Sequence, residues 1–318
     1  MKFWLILLSL VSTLPVCAAE PRALVEGCRL ELVAKEPEIV TPVGVAFDGK
    51  GRLLVVESHT HKRPDEYSGP QSDRIRLLSD SNGDGTFDTW STFAEGYRHA
   101  MNVAVRSDGA VYVVTRGEVH LLRDPDGDGI ADEDKTILQL ETKEEYPHNA
   151  LSGIALGDGE LLLGLGENFG VAYRLVGSDG STFADQGGAG RVFRCSLVGG
   201  QIEPVATGFW NPFSLCLANE RLFVVDNDPD AQPPCRLIDV SEGGDYGFRF
   251  EYGRAGVHPL LAWDGELPGT LPMVCGTGEA PTAVIFHRGY LWVTSWGDHR
   301  IERYELSERA NGQLTAAL

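Results

Sequence analysis

The sequence predicts an all-β β-propeller of the six-bladed type, of which five blades are visible and the last is expected to be missing. Helical periodicity is rare, whereas short β-rich runs bounded by Gly, Asp and Asn recur along the chain, and 38 glycines supply the turns between them. One unit, an apolar run followed by a polar turn and a second strand, occurs repeatedly at intervals of about 50 to 70 residues, the size of a propeller blade.

Each copy of this unit predicts a β-hairpin in one blade. The five copies are residues 43–58, 101–116, 151–168, 213–228 and 282–298. Further strands are expected between the hairpins and complete each blade, namely DRIRLLSD, EVHLLRD, GRVFRCSL and HRIERYEL. An N-terminal strand, CRLELVAKEP, is expected to help close the ring, and the tail SERANGQLTAAL contains no sixth hairpin.

Residues 1–19 are predicted to be a secretory signal peptide. One lysine precedes an unbroken apolar stretch that ends in the small residues Ala18 and Ala19. The stretch is short for a membrane span, and no later segment reaches the length that a bilayer requires. Residues 20–318 are therefore expected to form one exported domain without a transmembrane segment, periplasmic or extracellular, whose C-terminal completeness is open. The alternative is a lipoprotein anchored at Cys17.

Charge and cysteine content limit the class of partner. The net charge of −19 is opposite in sign to the excess of Lys and Arg that binding to nucleic acid or an anionic membrane surface requires. The cysteines that follow the signal peptide are odd in number and form no CxxC or CxxCH motif, which excludes covalently attached c-type haem and a compact cysteine zinc site. Cys195 and Cys216 are predicted to be buried thiols.

Two acidic loops are predicted to bind structural calcium. Each places oxygen-bearing side chains at alternate positions around a glycine that permits a sharp turn. Neither loop has a Glu at the twelfth position, so these are strand-to-strand loops between blades and not EF-hands. Plain Asp-Gly turns are the alternative. The expected ligands are Asp80, Asn82, Asp84 and Asp88 in the first loop, and Asp124, Asp126, Asp128 and Asp132 in the second.

Several motifs give the chain a family resemblance. YPHNALSGIALGDGELLLGLGEN, GAGRVFRCSLVGGQIEPVATGFWNPFSL, VVDNDPDAQPPCRLIDV, GGDYGFRFEYG and LWVTSWGDHRIERYEL occur in this order. Together they resemble the PQQ-dependent sugar dehydrogenase propellers and, more closely, the membrane-bound dehydrogenase domain of planctomycete and verrucomicrobial bacteria. The resemblance implies oxidation of a sugar or related alcohol, with PQQ and calcium as cofactors and a cytochrome-type electron acceptor as a partner.

The resemblance assigns His148 the role of general base, because His148 precedes Leu151-Ser152-Gly153 as the family's histidine precedes its Ser-Gly pair. A structural histidine is the alternative. Where the family has Arg-Asn-Pro to bind the quinone, this chain has Trp210-Asn211-Pro212. Residues 228–235 correspond to the loop that carries the acidic ligands of the cofactor-bridging calcium, and Pro and Cys replace part of that acidity here. With charged and amide residues that recur at hairpin ends, the predicted cofactor-binding residues are Glu57, Asn149, Arg191, Asn211, Asn227 and Arg300.

Two other functions stay open. A calcium-dependent lactonase-like hydrolase would hold one metal between Glu57, Asn211 and Asp226, and a non-catalytic propeller would serve as a binding module in a larger redox assembly. The polar insertion at residues 58–70 is expected to cap the channel or to bind a metal through His59 and His61.

Overall fold

The computed structural model describes residues 20–146, 148–229 and 231–318. They form five antiparallel sheets, or blades, arranged as a β-propeller. The strands of blades 1 and 2 are β1 Pro42–Phe47, β2 Leu53–Glu57, β3 Asp73–Ser79, β4 Thr89–Tyr97, β5 Ala100–Val105, β6 Val111–Thr115, β7 Glu118–Arg123 and β8 Glu133–Thr142. Those of blade 3 and of a hairpin inserted in it are β9 Leu151–Leu156, β10 Glu160–Leu165, β11 Tyr173–Gly177, β12 Thr182–Asp185, β13 Gly190–Ser196 and β14 Glu203–Phe209.

The remaining strands form blades 4 and 5. They are β15 Asn211–Ala218, β16 Arg221–Asn227, β17 Cys235–Val240, β18 Cys275–Thr277, β19 Pro281–His287, β20 Tyr290–Ser295, β21 Arg300–Glu308 and β22 Leu314–Ala317. Short 3-10 turns occur at Asn168–Gly170 and Phe250–Tyr252. None of the helical segments in the described part of the chain has the length and apolar character needed to cross a membrane.

Apolar clusters between neighbouring blades form the core. Strand β10 shows why its apolar run is nearly continuous: Leu161 and Leu163 pack towards blade 2, whereas Leu162 packs towards blade 4. A strand that is buried on both faces needs apolar residues at successive positions, not only at alternate ones. Close packing also requires a glycine here, since a Cβ on Gly164 would clash with the carbonyl oxygen of Pro212 in blade 4.

The innermost strands contact one another in the order β1, β5, β9, β15 and β19. Within the described residues, no contact of comparable extent joins β19 back to β1, so the ring is open between blades 5 and 1. Both faces along this opening expose large apolar side chains: Phe47 on β1 is 64% exposed and Ile301 on β21 is 60% exposed.

The β11–β12 hairpin links two blades. The chain leaves blade 3 after β10, and β11 then pairs antiparallel with β8, the outer strand of blade 2. The chain returns to blade 3 at β13, which pairs with β10. The sheet of blade 2 therefore has six strands, whereas the other four sheets have four each.

Most of the predicted elements are confirmed. All five repeats form the hairpin between the first two strands of a blade, and the four further runs form β3, β7, β13 and β21. The expected N-terminal strand was wrong: residues 28–37 form no strand and are mostly exposed. The tail, predicted only to lack a hairpin, supplies β22, which pairs with β21 as the outer strand of blade 5.

The predicted calcium loops also need a correction. They join β3 to β4 and β7 to β8, so they lie within blades 1 and 2 and not between blades. The signal peptide and Cys17 lie outside the described residues. Cys195 is buried, as predicted, whereas Cys216 is only half-buried, and none of the five cysteines in the described part of the chain forms a disulfide.

Candidate functional site

A cavity of about 470 Å³ opens where the innermost strands begin, at one end of the propeller axis. Four of these strands contribute their own first residues to the wall, and blade 3 contributes the residues just before β9. Residues of the wall are Pro42 and Val43, Ala100 and Met101, His148 and Asn149, Asn211 and Phe213, and Pro281 and Thr282, together with His61, Tyr146, Trp210, Asn227, Asp228, Arg254 and Trp296. Every blade therefore takes part in the cavity.

His148 is half-buried on this wall. Its Nε2 lies 2.7 Å from Nε2 of His61, within hydrogen-bond distance, and its ring centroid lies 5.2 Å from that of Tyr146. Burial, followed by the nearby positive charges of His61 and Lys62, lowers the pKa of His148 to about 4. The imidazole of His148 is therefore neutral at neutral pH and can accept a proton.

His61 comes from the 58–70 insertion, which thus reaches the cavity as expected. Its imidazole also faces His99, with ring centroids 6.1 Å apart. Burial is the main cause that lowers the pKa of His61 and of His99. His59 has a different environment: it is buried, and its Nδ1 bonds the hydroxyl of Tyr67. Sequence inspection paired His59 with His61, whereas the fold pairs His61 with His148.

Two asparagine side chains shape the floor beside His148. Asn211 donates from Nδ2 to the backbone oxygen of His148 at 2.7 Å, and the Nδ2 of Asn149 donates to Glu167 at 2.5 Å. The Oδ1 atoms of both asparagines are buried and have no donor within the described residues. Buried acceptors of this kind are stabilised when a donor reaches them, so a hydroxyl-bearing ligand is a suitable occupant for an adjoining cavity.

Glu167 lies directly behind Asn149 and is fully buried. Its second carboxyl oxygen accepts the backbone N–H of Gly170 at 3.0 Å. Burial raises the pKa of Glu167 to about 7, despite these hydrogen bonds. Sequence reasoning included Glu167 only among the polar residues at hairpin ends, and nothing in the local pattern marked it as buried.

A buried ion pair fixes the neighbouring wall. The side chains of Asp226 and Arg236 are both 0% exposed and are joined at 2.5 Å. Asp226 also accepts the backbone N–H of Asn211 at 2.7 Å, and Arg236 stacks on the ring of Trp263 at 3.5 Å from its centroid. Asp226 therefore holds the Trp210–Asn211 segment and is not directed at a ligand.

Aromatic side chains form much of the remaining wall. Trp210 is buried and packs edge-to-face on Phe248 and Phe169. Trp296 lies at the rim and is 72% exposed. A flat ring with one exposed face offers an apolar surface beside the polar floor, so the cavity suits a ligand with both apolar and hydroxyl-bearing faces.

Three of the predicted cofactor-binding residues do not line the cavity. Glu57 is buried against Arg74 and Arg76 and accepts the backbone N–H of Val40. Arg191 pairs with Asp185, and Arg300 pairs with Asp298 and Glu302. The prediction of Arg191 overlooked Asp185 at the end of the inserted hairpin, whereas the pair of Arg300 with Asp298 is an alternative that the sequence had left open. Asn149, Asn211 and Asn227 do lie on the cavity wall together with His148.

The residues present do not match PQQ well. Its carboxylates require cationic partners, and the arginine that lines the described wall is Arg254, with Asp228 adding negative charge nearby. The loop expected to hold a bridging calcium brings Asp228 together with Cys235 and Glu279, whose ligand atoms lie within 4.8 Å of one another. Burial raises the pKa of the Cys235 thiol, which donates to Asp228 at 3.0 Å. Such a protonated thiol is a poor calcium ligand, and Asp230 lies outside the described residues.

In both acidic loops, the first carboxylate accepts hydrogen bonds from backbone N–H groups of the same loop. Asp80 accepts N–H groups from Gly83, Asp84 and Gly85, and these bonds lower its pKa, that of Gly85 most. Asp124 accepts those of Gly127 and Gly129 in the same way. Oxygens of Asp124, Asp126 and Asp128 lie within 4.8 Å of one another.

The ends of the two loops differ. Asp88 is bonded to the backbone and the hydroxyl of Ser81. The pKa of Asp132 is raised by desolvation and by the charges of Asp126, Asp128 and Asp124. The second loop thus brings its carboxylates together, whereas the last carboxylate of the first loop is already engaged.

Solved structures with a similar fold include sugar dehydrogenases. An oxidoreductase of Thermus thermophilus described as a glucose dehydrogenase matches with a TM-score of 0.64 and 20% identity, over 88% of this chain and 83% of that one. The PQQ-bound aldose sugar dehydrogenase of Streptomyces coelicolor matches with 0.58 and 17%, over 91% and 84%. A calcium structure of a Trichoderma reesei carbohydrate-active enzyme of family AA12 matches with 0.57 and 13%, over 88% and 80%.

The chain thus shares its β-propeller fold with these sugar dehydrogenases. No curated protein matches the sequence. A family model matches residues 19–239, and the chain belongs to that family, which is described as the domain of unknown function DUF7133.

Proposed function

We propose that this protein is an exported oxidoreductase of the sugar dehydrogenase type, which binds a carbohydrate or related alcohol in the axial cavity and uses His148 as general base. The observation that carries the proposal is the position of a neutral imidazole on a cavity wall built from amide and aromatic side chains. The lowered pKa of His148 keeps its imidazole unprotonated at neutral pH, so that a nitrogen lone pair is available to accept a hydroxyl proton.

The cavity residues have separate roles in this proposal. The unsatisfied Oδ1 atoms of Asn149 and Asn211 accept hydrogen bonds from ligand hydroxyl groups. Trp296 at the rim packs on an apolar face of the ligand. His148 takes the proton from the hydroxyl that is oxidised, and its Nε2 shares that proton with Nε2 of His61 at 2.7 Å.

Oxidation of the alcohol also requires a quinone or other electron acceptor in the channel to take the hydride. PQQ is the cofactor named for the Streptomyces coelicolor relative, but the cationic side chains that its carboxylates require are not gathered in this cavity. We therefore assign no reaction step to PQQ, and PQQ is one condition of the dye-reduction assay. A cytochrome-type acceptor remains a proposed partner.

Export, lineage and calcium belong to the same proposal. The signal-peptide pattern of residues 1–19 supports a periplasmic or extracellular location for one domain over residues 20–318, with a lipid anchor at Cys17 as the alternative. The quoted motifs support membership of the planctomycete and verrucomicrobial dehydrogenase group. The carboxylates of the two acidic loops support calcium as a structural ion.

Dye reduction by the purified protein tests the activity. A panel of sugars and polyols is assayed with PQQ and calcium, with calcium alone and with neither, for the wild type, His148→Asn and the control His287→Asn, whose side chain is exposed on β19. We expect turnover to fall by about 10² to 10⁴ in His148→Asn, the usual contribution of a general base, and to be unchanged in His287→Asn. Equal rates in the wild type and His148→Asn would remove His148 from the mechanism.

A second candidate is a non-catalytic carbohydrate-binding propeller, favoured by the poor cationic match to PQQ. It predicts saturable sugar binding in calorimetry but no dye reduction under any condition. The lactonase-like hydrolase lacks such support. Glu57 and Asp226, which were to hold its metal with Asn211, are each engaged with buried or half-buried arginines.

A further inference from the structure

Three successive blades each place one histidine at the same end of the channel. His61 lies in the loop between β2 and β3 of blade 1, His99 in the turn that leads into β5 of blade 2, and His148 in the segment before β9 of blade 3. The sequence separates these residues widely, and the propeller brings them together.

We propose that His61 and His148 form a binding site for a divalent transition-metal ion of the class that prefers imidazole, such as Zn²⁺ or Cu²⁺, and that His99, whose ring centroid lies 6.1 Å from that of His61, turns towards the ion as a third ligand. Nothing in the proposed dehydrogenase function calls for this metal, which differs in class from calcium. Imidazole nitrogen suits zinc and copper, whereas calcium prefers oxygen ligands.

The geometry of the two nearest imidazoles supports the site. Their Nε2 atoms point at each other across 2.7 Å, and the rings cross at 82° with centroids 4.1 Å apart. Two nitrogens bound to one zinc ion at about 2.1 Å each lie roughly 3.4 Å apart in tetrahedral coordination. An increase of less than about 1 Å in the distance between the two Nε2 atoms would therefore admit the ion.

A buried hydrogen-bond network preorganises two of the three histidines. Asp73 is fully buried and accepts from the hydroxyl of Thr60 at 2.9 Å and from the backbone N–H of Ala100 at 2.8 Å. The backbone N–H of His99 donates in turn to the hydroxyl of Thr60 at 2.7 Å. Thr60 precedes His61 and Ala100 follows His99, so one carboxylate fixes the backbone beside both histidines.

The third histidine is held from the opposite side of the cavity. Asn211 binds the backbone oxygen of His148, and its neighbour Asn149 is bonded to buried Glu167. Nδ1 of His61 is buried without a hydrogen-bond partner among the described residues. The hydrogen bond to His148 therefore engages only Nε2 of His61, and with the proton on Nδ1 this Nε2 presents a lone pair to a metal.

Zinc titration by calorimetry tests the site in the purified protein. The buffer contains excess calcium, so that the acidic loops are saturated before zinc is added. The wild type is compared with His61→Ala, His148→Ala and His99→Ala, and with His287→Ala as the control for an exposed histidine. We expect one zinc ion per chain, an affinity lowered at least about tenfold by His61→Ala and by His148→Ala, a smaller loss in His99→Ala and no change in His287→Ala.

Electron paramagnetic resonance of the Cu²⁺-loaded wild type keeps the proposal testable if a variant fails to fold. We expect nitrogen couplings from at least two imidazoles. A stoichiometric site that survives both His61→Ala and His148→Ala, a spectrum with oxygen ligands only, or a loss of affinity in His287→Ala as large as that in His61→Ala would each overturn it.

This proposal and the dehydrogenase proposal fail separately. Zinc binding is measured without substrate, whereas dye reduction is measured in buffers freed of transition metals. A protein that binds zinc at these histidines and oxidises no sugar refutes the dehydrogenase proposal alone, and the converse result refutes the zinc site alone.

Discussion

At the scale of single residues, burial decides the chemistry of Glu167. An acid whose pKa is raised on folding contributes stability below its unfolded pKa and loses it as pH rises through the folded value. For Glu167 this window runs from 4.5 to about 7. Below it the native carboxyl is protonated and neutral, and above it a buried charge remains.

We therefore expect the free energy of unfolding of the wild type to fall by up to about 3 kcal/mol across this window because of Glu167 alone. Glu167→Gln removes this titration, so its stability relative to the wild type should increase with pH. Urea unfolding at about pH 5 and about pH 8 measures the difference. The control Glu305→Gln changes an exposed carboxyl on β21 and should show the wild-type slope, and an identical slope in Glu167→Gln would contradict the assignment.

The Asp226–Arg236 pair gives a second prediction at this scale. Arg236→Met leaves a fully buried carboxylate without its cation, and breaking such a pair costs about 3 to 5 kcal/mol. Denaturant unfolding should show this loss. Because Asp226 holds the backbone of Asn211, we also expect weaker ligand binding in the cavity. Arg194→Met, which removes an exposed pair with Glu203 and Glu242, is the control and should change stability by less than about 1 kcal/mol.

At the scale of elements, the acidic loops behave as extensions of the outer hairpins of blades 1 and 2. Calcium that binds only the native loops stabilises the fold by about 2.7 kcal/mol at a hundredfold excess over the dissociation constant. We expect chelator to lower the melting temperature by several degrees. Asp128→Asn should remove part of this response, whereas Asp158→Asn, in the exposed β9–β10 turn, should retain all of it. A melting curve indifferent to chelator would speak against occupied loops.

The contact between blades 3 and 4 depends on a glycine in β10. Gly164→Ala forces a methyl group against the Pro212 carbonyl, and overpacking of this kind costs about 1 to 3 kcal/mol. Gly117→Ala is the matched control, because no atom lies within 4 Å of its added Cβ. Thermal unfolding should give a clearly lower melting temperature for Gly164→Ala than for Gly117→Ala. Equal melting temperatures would show that the blades can move apart without loss.

Sequence reasoning works best for the hairpins and less well for the site. The five repeats are predictable because each carries its own turn and its own apolar runs, which are local signals. The N-terminal run CRLELVAKEP has the same alternation, but the outer position of blade 5 is occupied by β22 from the tail. His61 could not be matched to His148 from spacing, since their approach depends on the angle between blades 1 and 3.

At the scale of the whole molecule, sequence spacing also could not decide whether Arg191 and Arg300 bind a ligand. Both stand at strand ends, where a cation could serve a ligand or a neighbouring carboxylate. Asp185 lies six residues before Arg191, and the two side chains pair where the chain returns from the β11–β12 hairpin to blade 3. The opening in the ring was predictable, because the sequence contains five hairpin repeats, one fewer than a six-bladed ring requires.

The crossing of the β11–β12 hairpin has a consequence for how the molecule comes apart. Blade 2 contains strands encoded on both sides of β9 and β10, so its outer edge cannot be released while blade 3 keeps its place. Blades 2 and 3 should therefore exchange their amide hydrogens as one cooperative unit, whereas blade 5 can fray independently from the open side. The β11–β12 hairpin therefore couples the outer edge of blade 2 to blade 3, the two blades whose first strands follow His99 and His148.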